Sequence, residues 1–105
     1  MYELELKIAI SEPEERIVHA MMERVYQASP YEAACEGFVE SNGAEYHVRV
    51  HINATAGCFV GEAKSPQLQI AVSDAEKQIG AQIEAWRAKR YSTQIDATST
   101  LRRAA

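Results

Sequence analysis

Four short stretches of the chain have the alternation or the residue composition of strands with one buried face. Apolar residues occupy every second position in the first and third of them. Gly37 interrupts the second stretch, which indicates a bulge. Asn42-Gly43 predicts a hairpin turn between the second and third strands. The predicted strands are Tyr2 to Ile10, Tyr31 to Glu40, Ala44 to Thr55 and Cys58 to Ala63.

Two further segments repeat apolar residues at three- and four-residue steps, the period of an amphipathic helix. The first begins at Ser11, a capping residue with Glu14 at the capping-box position, and ends near Ser29, before Pro30. The second begins near Pro66 or Leu68 and is predicted to end near Tyr91. Its apolar stripe consists of Ala71, Ala75, Ile79, Ile83 and Trp86.

The predicted order is strand, helix, three strands, helix, which places the chain in the α+β class. Each helix has one apolar stripe and the sheet has one apolar face, so both helices are expected on one face of a four-stranded sheet. The other face is left open to solvent. We expect one domain over residues 1–91 and a mobile C-terminal tail over residues 92–105, where no periodicity continues.

Length and composition are those of a single globular domain, with 105 residues, 47% apolar and 25% charged. The N-terminal segment carries Glu3 and Glu5 where a secretory signal would carry Lys or Arg, so we expect a cytoplasmic protein. Cys35 and Cys58 lack CxxC spacing and are expected to be reduced thiols, with a redox role as the less favoured alternative.

The net charge of −4 is unevenly distributed along the chain. Residues 1–86 hold 6 Lys or Arg and 14 Asp or Glu, a balance of −8, whereas residues 87–105 hold 5 and 1, a balance of +4. A basic end can bind phosphates. It can equally be the cationic last turn of a helix, followed by a solvated tail. The basic residues of this end are Arg87, Lys89, Arg90, Arg102 and Arg103.

The sequence contains no recognisable nucleophile motif and no glycine-rich phosphate loop, so we expect a binding protein, not an enzyme, without a cofactor. His47 and His51 are four residues apart on a strand, or about 13 Å, too far to share a metal ion. With Arg49 they form either a solvated polar row or a patch that touches phosphates or a partner. His19, between Glu15 and Glu23, leaves a small enzyme or ligand carrier as a third alternative.

From Glu45 to Lys89 the chain resembles the ribosome hibernation-promoting and ribosome-associated inhibitor family, in its short form. The likeness lies in the alternating strand YHVRVHINAT and in the helix pattern Ala71-Val72 followed by Ile79-x-x-Gln82-Ile83. The resemblance implies a β-α-β-β-β-α fold similar to a double-stranded-RNA-binding domain. It also implies binding to the RNA of the small ribosomal subunit, with translation silenced by steric occupancy in slow growth, as a stress response.

On this resemblance, we predict that Arg87, Lys89 and Arg90 contact phosphates. The secondary candidates are Lys77, Arg49, His47 and His51. Family members carry Lys and Arg along both helices, whereas the first helix here is net acidic. The alternative is therefore a protein–protein interaction module of the same fold that has lost RNA binding, or a homodimer through the open sheet face.

Overall fold

The computed structural model describes the backbone of residues 2–104 and the side chains of residues 2–89. It confirms the predicted order of elements and the α+β class. The elements are β1 (Tyr2–Leu6), α1 (Glu12–Ala28), β2 (Ala34–Ser41), β3 (Tyr46–Ala54), β4 (Gly57–Ser65) and α2 (Leu68–Ala104).

The four strands form one mixed sheet in the order β1-β2-β3-β4. β1 runs parallel to β2, and the pairs β2–β3 and β3–β4 are antiparallel. Parallel neighbours need a crossover connection, which α1 supplies. Both helices cover the same face, as predicted, and the residues of β3 that face them are buried, namely Val48, Val50 and Ile52.

The ends of α1 lie where the sequence predicts them. Ser11 Oγ accepts a hydrogen bond from the Glu14 amide (3.3 Å), and the Glu14 carboxylate accepts one from the Ser11 amide (3.1 Å), a complete capping box. These bonds to Ser11 hold the pKa of Glu14 below its ordinary value. The helix ends at Ala28, and Ser29 leaves the helical conformation immediately before Pro30.

The bulge predicted at Gly37 is wrong, because β2 pairs with β1 and β3 in an uninterrupted register through that residue. The glycine has a packing role instead. A Cβ atom at Gly37 would lie 2.6 Å from Met22 Sδ, so the absence of a side chain lets α1 approach the sheet.

The turn predicted at Asn42-Gly43 is confirmed. The Asn42 side-chain oxygen accepts hydrogen bonds from the amides of Ala44 (3.0 Å) and Glu45 (2.9 Å). Gly43 has a φ of +95°, a conformation that glycine adopts without steric cost. This turn fixes the register that aligns β2 with β3.

The core lies between the sheet and the two helices. From α2 it receives Ala71, Ala75, Ile79 and Ile83, all 2% exposed or less, which confirms the predicted stripe. Trp86 packs against the core with its ring edge-to-face with Phe59, the ring centroids 6.3 Å apart. From α1 the core receives Val18, Met21, Met22 and Val25.

α2 lies directly against β4, which is an edge strand of the sheet. A Cβ atom at Gly61 would overlap the backbone carbonyl oxygen of Ala75, so only glycine allows this approach. The Gln82 amide accepts from the Val60 N–H (3.0 Å) and donates to the Val60 carbonyl (2.5 Å), and Gln78 accepts from the Glu62 N–H (3.0 Å). The two glutamines therefore occupy backbone groups that an edge strand would otherwise leave open.

α2 continues to Ala104, beyond Tyr91, where the periodicity predicts its end. The sequence after Gly80 contains neither glycine nor proline, so the two strongest helix breakers are absent there. The mobility expected of residues 92–105 stays a prediction. None of the helices in the described part of the chain is both long and apolar enough to cross a bilayer.

Candidate nucleic-acid interface

The structure separates the predicted RNA-binding residues into two groups. His47, Arg49 and His51 lie on β3 and point to the open face of the sheet, alternating with the buried Val48 and Val50. The other group lies on α2, on the opposite side of the sheet. It consists of Lys77, Arg87, Lys89 and Arg90, of which the first three have exposed side chains and the fourth lies beyond the described side chains.

Arg87 connects the two helices. Its guanidinium donates a hydrogen bond of 2.8 Å from Nη2 to the carbonyl oxygen of Ala28, the last residue of α1. The last turn of α1 has no basic residue of its own. Since a cation stabilises the negative end of a helix dipole, Arg87 provides the positive charge that the last turn of α1 lacks. A guanidinium has five N–H donors, so this bond leaves donors for a phosphate.

A second contact between the helices is an ion pair formed by an arginine of α1. Arg24 donates two hydrogen bonds to the Glu76 carboxylate, from Nε (2.7 Å) and Nη2 (2.8 Å), and these bonds raise the pKa of the guanidinium above its ordinary value. Lys77, the neighbour of Glu76, is exposed. Arg24 and Glu76 thus neutralise each other, and among the described side chains the cations Arg87 and Lys89 lie in the second half of α2.

On the open sheet face, His47 lies between two carboxylates. Its Nδ1 is 3.1 Å from Glu40 Oε1 and its Nε2 is 2.5 Å from Glu62 Oε1, and only 16% of the side chain is exposed. The hydrogen bond from His47 holds the pKa of Glu62 below its ordinary value, with smaller contributions from nearby positive charges that include Arg49. The ring nitrogens of His47 are therefore already engaged with acidic side chains.

Arg49 and His51 have neighbours on the same face. Arg49 Nε lies 4.0 Å from Glu62 Oε2, and the His51 ring meets Phe38 edge-to-face with centroids 5.9 Å apart. The strand register places more carboxylates than cations on this face. An acidic face repels phosphate, so the geometry favours α2 over β3 as the nucleic-acid contact. The carboxylates are Glu3, Glu5, Glu36, Glu40 and Glu62, and the strand cations are Arg49 and Lys64.

Two exposed aromatic side chains near the end of α1 are not indicated by the sequence pattern. Tyr26 is 39% exposed and Tyr31 is 90% exposed. Both line a groove at the turn between α1 and β2, next to Ala28. Proline at position 30 signals the end of the helix, but no periodicity indicates which way the following tyrosine points.

No protein-family model and no curated protein sequence matches the chain. Among solved structures, it is similar to a ribosomal subunit interface protein from Coxiella burnetii, with a TM-score of 0.68 and 14% identity over 84% of this chain and 99% of that one. It is also similar to the N-terminal domain of Protein Y from Thermus thermophilus, with a TM-score of 0.65 and 13% identity over 81% and 94% of the two chains.

These two matches cover almost the whole length of their own chains and more than four fifths of this one. At 13–14% identity the likeness concerns the backbone and not the surface residues. The chain therefore has the β-α-β-β-β-α fold of a ribosomal subunit interface protein and of the Protein Y N-terminal domain.

Proposed function

We propose that this protein binds the small ribosomal subunit in the cytoplasm and silences translation by occupying the path of RNA, without catalysis or a cofactor. The observation that carries the proposal is the fold, shared with a protein described as lying at the ribosomal subunit interface. The basic C-terminal part of α2 supports it, because RNA binding depends on cations placed against phosphates.

Arg87, Lys89 and Arg90 are the proposed phosphate contacts, with Lys77, Arg49, His47 and His51 as secondary candidates. Arg87 has two functions in this proposal. It holds the end of α1 through Ala28 and presents its remaining donors to RNA. His47 and Arg49 rank lower because they contact carboxylates. His51 ranks lower because it packs on Phe38 and lies opposite Glu36 in the strand register.

Co-sedimentation with purified small subunits tests the proposal. At low salt, the unchanged protein is expected to pellet with the subunits, and a variant with Lys89→Glu and Arg90→Glu is expected to stay in the supernatant. Arg87 is left unchanged, because its loss would also disturb α1. Arg16→Glu is the control for a charge reversal elsewhere on the helices, although it changes the net charge by −2 and the double variant by −4. Arg16 is exposed near the other end of α1 and pairs only loosely with Glu12, at 3.7 Å.

The residue separation supports this control. Arg16 and Ala28 are twelve helical positions apart, or about 18 Å along the axis of α1, so Arg16 lies far from the Arg87 contact. An unchanged protein that stays in the supernatant at low salt would overturn the proposed function. Pelleting of the double variant as strongly as the control would instead overturn the choice of Lys89 and Arg90.

A second candidate is a homodimer or another protein–protein contact through the open sheet face. The observation that favours it is the apolar surface at the centre of that face, where Phe38 packs on His51 and Val60 is 42% exposed. Sedimentation equilibrium of the protein alone tests for the homodimer. An association through apolar surface persists at moderate salt, whereas binding to the small subunit through phosphate contacts weakens.

A further inference from the structure

The turn between α1 and β2 contains a groove of about 370 Å³ whose walls include the side chains of Tyr26 and Tyr31. Tyr31 is 90% exposed and Tyr26 39% exposed. Within residues 2–89, neither ring stacks on another aromatic side chain, and neither hydroxyl group has a hydrogen-bond partner. A tyrosine normally gains stability by burying its large ring, so the ring of Tyr31 contributes little to the fold, whereas that of Tyr26 is partly buried.

The groove is preformed. Glu32 has a φ of +60°, in the left-handed region, which costs a residue with a side chain about 1–2 kcal/mol. The turn is held by the Ala33 amide, which donates to the Pro30 carbonyl (3.2 Å), and by Ser29 Oγ, which donates to the Val25 carbonyl (2.6 Å). A turn that keeps an unfavourable backbone conformation against such a cost is fixed by its surroundings, not formed on binding.

A cation lies close to this groove without lining it. The Arg87 guanidinium binds the carbonyl of Ala28, and Ser29 and Pro30, which line the groove, follow directly in the chain. The lining also includes Glu32, whose carboxylate disfavours a phosphate, so the end of the groove towards Arg87 is the part that suits one. An exposed aromatic ring with a guanidinium near one end of the groove matches the two parts of a nucleotide, a flat base and a charged phosphate.

We propose that Tyr26 and Tyr31 form a stacking subsite for one unpaired base of RNA, whose adjacent phosphate binds Arg87. The subsite rests on the proposed function, since it describes how the end of α1 and the neighbouring Arg87 of α2 would hold the RNA of the small subunit. It also explains how an acidic protein could bind RNA with few cations. Stacking on an aromatic ring adds affinity for every base and requires no additional positive charge.

The test measures binding of two ligands over a series of salt concentrations. One is a fluorescently labelled single-stranded RNA of about a dozen nucleotides, the order of size that one small domain covers. The other is the small ribosomal subunit. Tyr31→Ala is expected to weaken both by about 5- to 150-fold, the range for one lost base stack, with the salt dependence unchanged. Tyr31→Phe keeps the ring and is expected to bind within about twofold of the unchanged protein. Because Tyr31 is almost fully exposed, both variants are expected to fold, which thermal unfolding checks.

Each other outcome overturns a defined part of the proposal. Equal binding by Tyr31→Ala and the unchanged protein would remove the subsite and leave the proposed function standing. Equal weakening by Tyr31→Ala and Tyr31→Phe would assign the effect to the hydroxyl group and not to stacking. A lower salt dependence of the Tyr31→Ala variant would assign the effect to a lost phosphate contact. Weakening on subunits but not on the free RNA would indicate a protein surface as the occupant. If the unchanged protein binds neither, the proposed function fails together with the subsite.

Discussion

Two glycines determine how closely each helix lies on the sheet, and they differ in what a side chain would meet. At Gly37 the nearest atom to an added Cβ is Met22 Sδ, part of a flexible side chain that can move. At Gly61 it is the backbone carbonyl of Ala75, which cannot move unless α2 shifts as a whole. The two positions should therefore respond differently to the same substitution.

Gly61→Ala is expected to lower the free energy of unfolding by about 1–3 kcal/mol, the cost of overpacking a close contact. Gly37→Ala is expected to cost less, because Met22 can adopt another rotamer. Gly80→Ala is the control, since nothing lies within 4 Å of its added Cβ, and it should stabilise the protein by about 0.5–1 kcal/mol through helix propensity. Urea unfolding of the three variants provides the measurement, and an equal loss at positions 61 and 37 would contradict this account.

At the scale of elements, the contact between α2 and the end of α1 determines how the two helices are joined. Arg24, in the last third of α1, binds Glu76, in the first third of α2, and Arg87 binds the last carbonyl of α1. Both contacts are polar and lie outside the apolar stripes. The helix interface therefore has a core that fixes the packing and two polar contacts that fix its alignment.

Arg87→Met is expected to lower the free energy of unfolding by about 1 kcal/mol, because the end of α1 loses a hydrogen bond from a charged donor and its only cation among the described contacts. Arg16→Met removes an exposed helix cation of the same size and is expected to cost less than about 0.5 kcal/mol. Thermal and urea unfolding compare the two. Similar losses would show that the Ala28 contact adds nothing in solution.

The sequence predicted the elements well because strands and helices leave periodic signals. The capping box at Ser11, the hairpin turn at Asn42 and the stripe from Ala71 to Trp86 are all local patterns. The contacts of Gln82 with Val60 and of Arg87 with Ala28 join polar side chains to backbone atoms far away in the chain, and such contacts leave no period. For the same reason the groove at Tyr31 could not be predicted, although the cations beside it could.

At the scale of the whole molecule, negative charge is widespread and positive charge is local. The open sheet face is acidic, α1 is net acidic, and Arg87 and Lys89 lie together in the second half of α2. A polyanion is therefore attracted to that part of α2 and repelled from the sheet side. The small number of cations also limits how strongly salt affects binding.

Three phosphate contacts predict that affinity for RNA falls by about 20- to 40-fold between 50 and 200 mM salt, far less than for strongly basic proteins. Replacing Lys89 and Arg90 by Gln should reduce the slope of log affinity against log salt by about one unit for each residue. Fluorescence anisotropy over a salt series measures both slopes. A slope as steep as that of a protein with six or more phosphate contacts would contradict the assignment, because it would need cations from elsewhere in the chain.

The glutamine contacts on β4 also have a consequence for the order in which the protein assembles. α2 follows the four strands in the chain, and its Gln78 and Gln82 cover the edge of β4. During synthesis the sheet can form before the helix that covers this edge has left the ribosome, so the edge is open for that interval. An open edge pairs readily with other strands. The nascent chain is thus most prone to aggregation just before α2 docks, and docking of that helix ends the exposure.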